Sequence, residues 1–68
     1  PITENLTAND EYIQYMAGEA IINVCVYHPN ILSDKENTYQ ILKSLNEKFN
    51  YKQKQPEKWS TVTNNLSN

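Results

Sequence analysis

Apolar residues recur every three or four positions along most of this chain, and that spacing predicts helices. Pro29 disfavours helical backbone at the residue before it, so the first helix should end near Tyr27. Pro56 suits the first turn of the last helix, because its missing amide would have no partner there. The predicted elements are a lead-in over residues 1–7, three helices over about Ala8–Tyr27, Asp34–Phe49 and Pro56–Leu66, and a polar connection at Asn50–Gln55.

Two capping boxes support the starts of the first two helices. Thr7 stands three residues before Asp10, and Ser33 stands three residues before Glu36. At this spacing the hydroxyl accepts a backbone amide and the acid reaches back to the cap residue. Carboxylates in a first turn are also stabilised by the positive end of the helix dipole. We therefore expect the first two helices to begin directly after Thr7 and Ser33.

Each helix carries an apolar stripe that we expect to face a shared core. In the second and third helices the remaining positions are mostly polar, which is typical of surface helices. The sequence thus predicts a small all-α domain of three helices over residues 1–68. The predicted inner stripes are Ile13, Met16, Ala17, Ala20, Ile21, Val24 and Tyr27, then Thr38, Ile41, Leu42, Leu45 and Phe49, then Trp59, Val62 and Leu66.

A strand over residues 20–27 is the alternative to the end of the first helix. This segment is rich in β-branched residues, and Gly18 could end a shorter helix before it. The other β-like run is Trp59–Thr63, so the sheet would have two strands, which are seldom stable alone. The helical interpretation is preferred and an α+β fold stays open.

The first helix has a second apolar stripe, formed by Tyr12, Tyr15, Ile22 and Val26. A helix that is apolar on both sides is usually buried on both sides, and the two shorter helices offer limited cover. A chain of this size also forms a marginal core by itself. We therefore predict that this second stripe is a contact surface for a protein partner or for a second copy in a homodimer. The alternative is that the two shorter helices cover both faces within one chain.

Charge divides the chain into two halves, although the net charge is only −2. Residues 1–37 carry six carboxylates and one lysine, whereas residues 38–68 carry five lysines and two carboxylates. Such asymmetry can steer an acidic partner or nucleic acid to the basic half. It is also compatible with a solvated basic face that has no partner.

Nucleic-acid binding is the alternative function. The last two helices could form a helix-turn-helix whose third helix reads a groove. The six-residue connection is long for that motif, and the chain has no arginine, the preferred residue for reading guanine. The candidate residues for DNA or RNA are Lys48, Lys52, Lys54, Lys58, Thr61, Asn64 and Asn65.

The sequence offers little catalytic chemistry. Cys25 and His28 form a C-x-x-H pair, but two ligands do not make a zinc site. A single glycine excludes a glycine-rich phosphate loop. We expect no enzyme activity, no catalytic residue, no metal and no cofactor.

The expected setting is the cytoplasm. The acidic, polar amino end does not resemble a secretion signal, the longest apolar run is too short to cross a membrane, and a lone cysteine fits a reducing compartment. Asparagine and lysine are abundant, as AT-rich coding sequences favour, which suggests a phage or mobile-element accessory protein. The sequence therefore predicts a non-catalytic, regulatory protein interaction module.

Overall fold

The computed structural model describes residues 10–67, and within this range it contains helices and no strand. The prediction of an all-α fold is confirmed, and residues 20–27 are helical. A 3-10 turn follows the first helix. The helices are α1 (Glu11–Tyr27), α2 (Lys35–Phe49), α3 (Tyr51–Lys54) and α4 (Pro56–Leu66), and the 3-10 turn is Pro29–Ile31.

The first two helices begin at aspartate caps, slightly later than predicted. The Asp10 carboxylate accepts the amides of Tyr12 at 2.9 Å and Ile13 at 3.3 Å. The Asp34 carboxylate accepts the amide of Asn37 at 2.9 Å. Asp34, rather than the predicted Ser33, is therefore the cap of α2, because aspartate is at least as good an acceptor at this position. Thr7 lies outside the described residues.

The predicted core faces of α2 and α4 are confirmed. Leu42 and Leu45 of α2 are buried, and Phe49 packs against the core from its edge. Trp59, Val62 and Leu66 of α4 are also buried. On these helices polar residues occupy the remaining positions, so only one face can be buried at low cost.

The connection between α2 and α4 differs from its prediction as a polar loop. Asn50 ends α2 in the left-handed backbone region, at a φ of 60°, which asparagine tolerates better than most residues. The short helix α3 then places Tyr51 in the core, where it is 0% exposed. The Tyr51 hydroxyl donates to the Tyr15 carbonyl at 2.7 Å, so its polar tip is satisfied inside the protein.

Helix α1 is rotated relative to its prediction, and this is the main correction. Met16 and Tyr27, assigned to the inner stripe, are 46% and 64% exposed. Ile22, assigned to the outer stripe, is 2% exposed, and Cys25 beside it is fully buried. Both stripes are apolar, so hydrophobicity alone does not decide which of them faces inward.

Gly18, the single glycine of the chain, explains the rotation of α1. Its bare backbone lies against the Tyr51 ring, and a Cβ built at position 18 would stand 2.8 Å from Tyr51 Cζ. A side chain at this position would overlap the ring, so only the glycine side of α1 accepts Tyr51. Ile22 and Cys25 lie on that same side and are carried into the core.

The packed helices form a thin body, with principal extents of 32 × 26 × 17 Å. The shortest dimension corresponds to about two helix layers, since packed helix axes lie about 8–10 Å apart. Within residues 10–67, a body this thin has no further layer to cover the outer side of α1.

Candidate functional site

Among the described residues, four of the five large apolar side chains that are exposed to solvent lie on α1. Tyr12 is 70% exposed, Ile13 38%, Met16 46% and Tyr27 64%. These positions recur along four turns of one side of α1, with Ala20 between them. We define the outer face of α1 as Tyr12, Ile13, Met16, Ala20 and Tyr27.

The outer face of α1 continues into an apolar groove between α1 and α2. Ile31 in the 3-10 turn is 73% exposed at the edge of this groove. The groove has a volume of about 340 Å³. It is lined by Ile21, Val24, Ile31, Leu32 and Ile41, with Ser33, Asp34, Asn37 and Thr38 at its polar rim.

This arrangement is unusual for a solvated helix. An apolar stripe on a surface helix normally faces the core, while charged residues occupy the opposite side. In α1 the core side is already filled by Gly18, Ile22 and Cys25. The outer face is therefore surplus to the packing of residues 10–67, and exposed apolar patches are a common feature of interaction sites in proteins.

The four residues predicted as the partner interface do not form one exposed surface. Tyr12 is exposed, but Ile22 belongs to the core. Tyr15 and Val26 are half-buried and pack against that core. Tyr15 stacks on Tyr51, with 5.1 Å between ring centroids. The exposed apolar surface of α1 is instead made largely of residues that the sequence pattern assigned to the inner stripe.

Three of the predicted nucleic-acid lysines contact α1. Lys48 Nζ lies 3.0 Å from Gln14 Oε1 and 3.7 Å from Glu11 Oε1. Lys54 Nζ lies 5.0 Å from the centre of the Tyr15 ring, within the range of a cation–π contact.

Lys58 contacts the last turns of α1. Its Nζ donates to Asn23 Oδ1 at 3.0 Å and lies 5.9 Å from the centre of the Tyr27 ring. Three lysines of the basic half therefore make contacts within the molecule, and these contacts help to hold the basic half against α1.

The other predicted nucleic-acid residues are divided between different faces. Lys52 lies with Tyr39 and Trp59 in a shallow groove, while Thr61 and Asn64 are exposed on α4. The Asn65 amide donates to the Cys25 carbonyl at 2.8 Å, so this side chain turns toward α1. The outward face of α4 holds Glu57, Ser60, Thr61 and Asn64.

Three groups around the core have raised pKa values. A hydrogen bond with Glu19, together with burial, raises the pKa of Tyr15. Burial, followed by the proximity of Tyr15 and Glu19, raises the pKa of Tyr51 to about 12. Burial also raises the pKa of the Cys25 thiol, which disfavours the reactive thiolate. Each shift stabilises the neutral form of a packed side chain.

Residues 10–67 contain neither a metal-binding cluster nor a membrane-spanning helix. No three histidine, cysteine, aspartate or glutamate side chains in this range stand close enough to share a metal ion. Within the same range, no helix has the length and apolar character needed to cross a membrane. Comparison with known protein families, curated proteins and solved structures gives no match to this chain.

Proposed function

We propose that this protein is a non-catalytic interaction module that binds another protein surface through the outer face of α1. The observation that carries the proposal is that α1 has apolar side chains on two of its sides. One apolar side is filled by the core, and the other presents two tyrosines, an isoleucine and a methionine to solvent.

The composition of the outer face supports protein rather than polar ligands. Tyrosine and methionine are enriched at the centres of protein interfaces, whereas charged side chains are depleted there. Of the two acids of α1, Glu11 pairs with Lys48, and Glu19, three residues after Met16, hydrogen-bonds to Tyr15. The proposed setting is the cytoplasm, where the buried thiol of Cys25 would stay reduced.

Site-specific photo-crosslinking in cells tests this function. A photoreactive amino acid replaces Met16 on the outer face of α1, and in a matched variant it replaces Asn64 on the outward face of α4. Both positions are exposed on long helices. We expect adducts from position 16 and few from position 64. An equal yield from the two positions, or none from position 16, would contradict the proposed function.

A second candidate function is phosphate-backbone binding by the basic half. It is favoured by one observation: Lys48, Lys54 and Lys58 all lie along α1, two of them over tyrosine rings. Lysines beside aromatic rings can bind nucleic-acid strands without reading their sequence. Against it, the outward face of α4 carries Glu57 and no lysine.

Fluorescence anisotropy of a labelled DNA duplex tests the second candidate. Phosphate binding must weaken by orders of magnitude between about 50 and about 200 mM salt. A variant with Lys54→Glu and Lys58→Glu, which changes the two lysines over tyrosine rings, should abolish this binding while the helical content stays unchanged. Binding that survives the double change, or that does not depend on salt, would contradict this candidate.

A further inference from the structure

We propose that the outer face of α1 pairs with the same face of a second copy, antiparallel, around a two-fold axis at Ala20. This inference rests on the proposed interaction function and names its partner. It follows from the spacing of the residues, the helix dipoles and the exposed area.

The outer face of α1 is self-complementary about Ala20. Ile13 and Tyr27 stand seven residues before and after Ala20, and Met16 and Val24 stand four residues before and after it. In an antiparallel pair centred on Ala20, Ile13 of one copy lies opposite Tyr27 of the other, and Met16 lies opposite Val24, which is half-buried beside the outer face. A two-fold interface requires this relation, in which the same patch serves both copies.

Ala20 also suits the crossing point itself. A small side chain at the centre lets two helix axes approach to about 8 Å, the short end of the usual range. The larger side chains of Ile13 and Tyr27 then fill the space toward both ends. The seven-residue spacing of Ile13, Ala20 and Tyr27 corresponds to one position of a heptad, the repeat by which paired helices pack.

The helix dipoles favour the antiparallel direction. An antiparallel pair sets the two dipoles of α1 in opposite directions, whereas a parallel pair would bring like ends together. The side-chain charges add little to this preference, because Lys48 and Lys54 lie beside Glu11 and Tyr15 at the amino end, and Lys58 lies over Tyr27 near the carboxyl end.

The exposed area fits a weak dimer. Tyr12, Ile13, Met16 and Tyr27 together expose on the order of 450 Å² per copy, given the large surface of an aromatic side chain. Two copies would remove up to about 900 Å² of these side chains from water, which lies in the range of weak and transient interfaces. We therefore expect a dimer that forms only at high protein concentration.

Sedimentation equilibrium from low micromolar to millimolar concentration measures the predicted dimer. Met16→Lys places a charge in each half of the interface and should weaken the dimer by about 100-fold or more. Asn64→Lys makes the same change in charge on α4 and should leave the dissociation constant within about threefold of the unchanged chain. Circular dichroism checks that both variants keep their helices.

Disulfide trapping tests the direction of pairing. Ile13→Cys chains and Tyr27→Cys chains, labelled with different nitrogen isotopes, are mixed and oxidised. Cys25 is 0% exposed, so it should not compete. Random pairing of equal amounts of the two chains would give as much mixed disulfide as the two self-disulfides together, so the antiparallel pair predicts that the mixed 13–27 disulfide exceeds their sum. Asn64→Cys gives the background from random collision.

The outcomes separate this inference from the proposed function. A dimer that Met16→Lys dissociates, with a dominant 13–27 disulfide, supports the inference. A chain that is monomeric at every concentration, or one that gives mainly 13–13 and 27–27 disulfides, overturns it. If the chain is monomeric but position 16 crosslinks to a different protein in cells, this inference fails and the interaction function stands.

Discussion

The two sides of α1 are both apolar, yet only one of them is packed. The inner side presents Gly18, Ile22 and Cys25 to the core, and the outer side presents Ile13, Met16 and Tyr27 to solvent. Both sides carry apolar side chains that could enter a core. The difference is shape, because the inner side has a flat site at Gly18 that receives the Tyr51 ring. Side-chain fit can therefore choose between two apolar faces.

The largest difference in stability between the two sides of α1 should appear when one isoleucine on each side is replaced by alanine. Ile22→Ala should lower the free energy of unfolding by about 2–5 kcal/mol, because it leaves a cavity in a packed core. Ile13→Ala should lower it by less than about 1 kcal/mol, because Ile13 is already 38% exposed. Urea denaturation of both variants, at the same low protein concentration, measures the difference. Equal losses would show that the two sides are not distinct.

Gly18→Ala should reverse the usual effect of this substitution. In an exposed helix interior, alanine stabilises by about 1 kcal/mol relative to glycine. Here the new Cβ would overlap the Tyr51 ring, which its hydrogen bond to Tyr15 holds in place. We expect a loss of about 2–3 kcal/mol, which is typical of overpacking.

The double variant of Gly18→Ala with Tyr51→Phe provides the control, because removing the Tyr51 hydroxyl relieves part of the overlap. Its loss should be smaller than the sum of the two single losses, and a double-mutant cycle measures that coupling. A stabilising Gly18→Ala would contradict the proposed packing of Tyr51 on α1.

Alkaline pH should lower the free energy of unfolding, because Tyr51 is packed against the inner side of α1 in its neutral form. Its pKa is about 12 in the folded chain against the ordinary 10.0, so the neutral form is favoured by folding. The resulting stability is fully present below about pH 10 and is lost as pH rises toward 12, because the unfolded chain then loses its proton first. The raised pKa of Tyr15 acts in the same direction.

At about pH 11.5 this loss should reach about 2 kcal/mol relative to about pH 9. Chemical denaturation across this range measures it. Tyr51→Phe should be less stable at neutral pH and should show a smaller loss on the alkaline side. An unchanged pH dependence in this variant would assign the effect to other groups.

The smallest loss of stability should follow from replacing the lysines that contact α1 by alanine. Lys54→Ala should cost less than about 1 kcal/mol, since its contact with the Tyr15 ring is at the surface. Lys48→Ala should cost a similar amount and should cost less at high salt, because its pair with Glu11 is exposed. Lys52→Ala is the matched control with no expected loss, and thermal unfolding compares the three variants.

Several features could be predicted from local sequence because they depend on neighbouring residues. The breaks at Pro29 and Pro56 and the inner faces of α2 and α4 were predicted in this way. Polar residues on the other faces of those helices leave one orientation in which few polar groups are buried. The need for a cap at each start was also visible, although aspartates at positions 10 and 34 serve as the caps.

The predicted contact surface on α1 and the exposed apolar surface of α1 share Tyr12 but differ at Ile22, which lies in the core. The sequence indicated two apolar faces on one helix and hence a surplus face. It gave no basis for preferring Ile13 over Ile22 as the exposed residue, because both fit a helical stripe. Gly18 was the available signal, since a glycine inside a helix costs stability and often marks a close approach. The ring that packs on Gly18 belongs to Tyr51, and Tyr51 lies in the segment Asn50–Gln55, whose polar sequence predicts a loop.

The sequence by itself determined that this chain forms amphipathic helices with a surplus apolar face, because periodicity and helix ends are properties of adjacent residues. The tertiary structure alone decided which face of α1 is surplus. That choice depends on Tyr51, which lies 33 positions from Gly18 in the sequence and meets it only after α2 and α3 have packed. Contacts of this kind follow from three-dimensional fit, which no local pattern encodes.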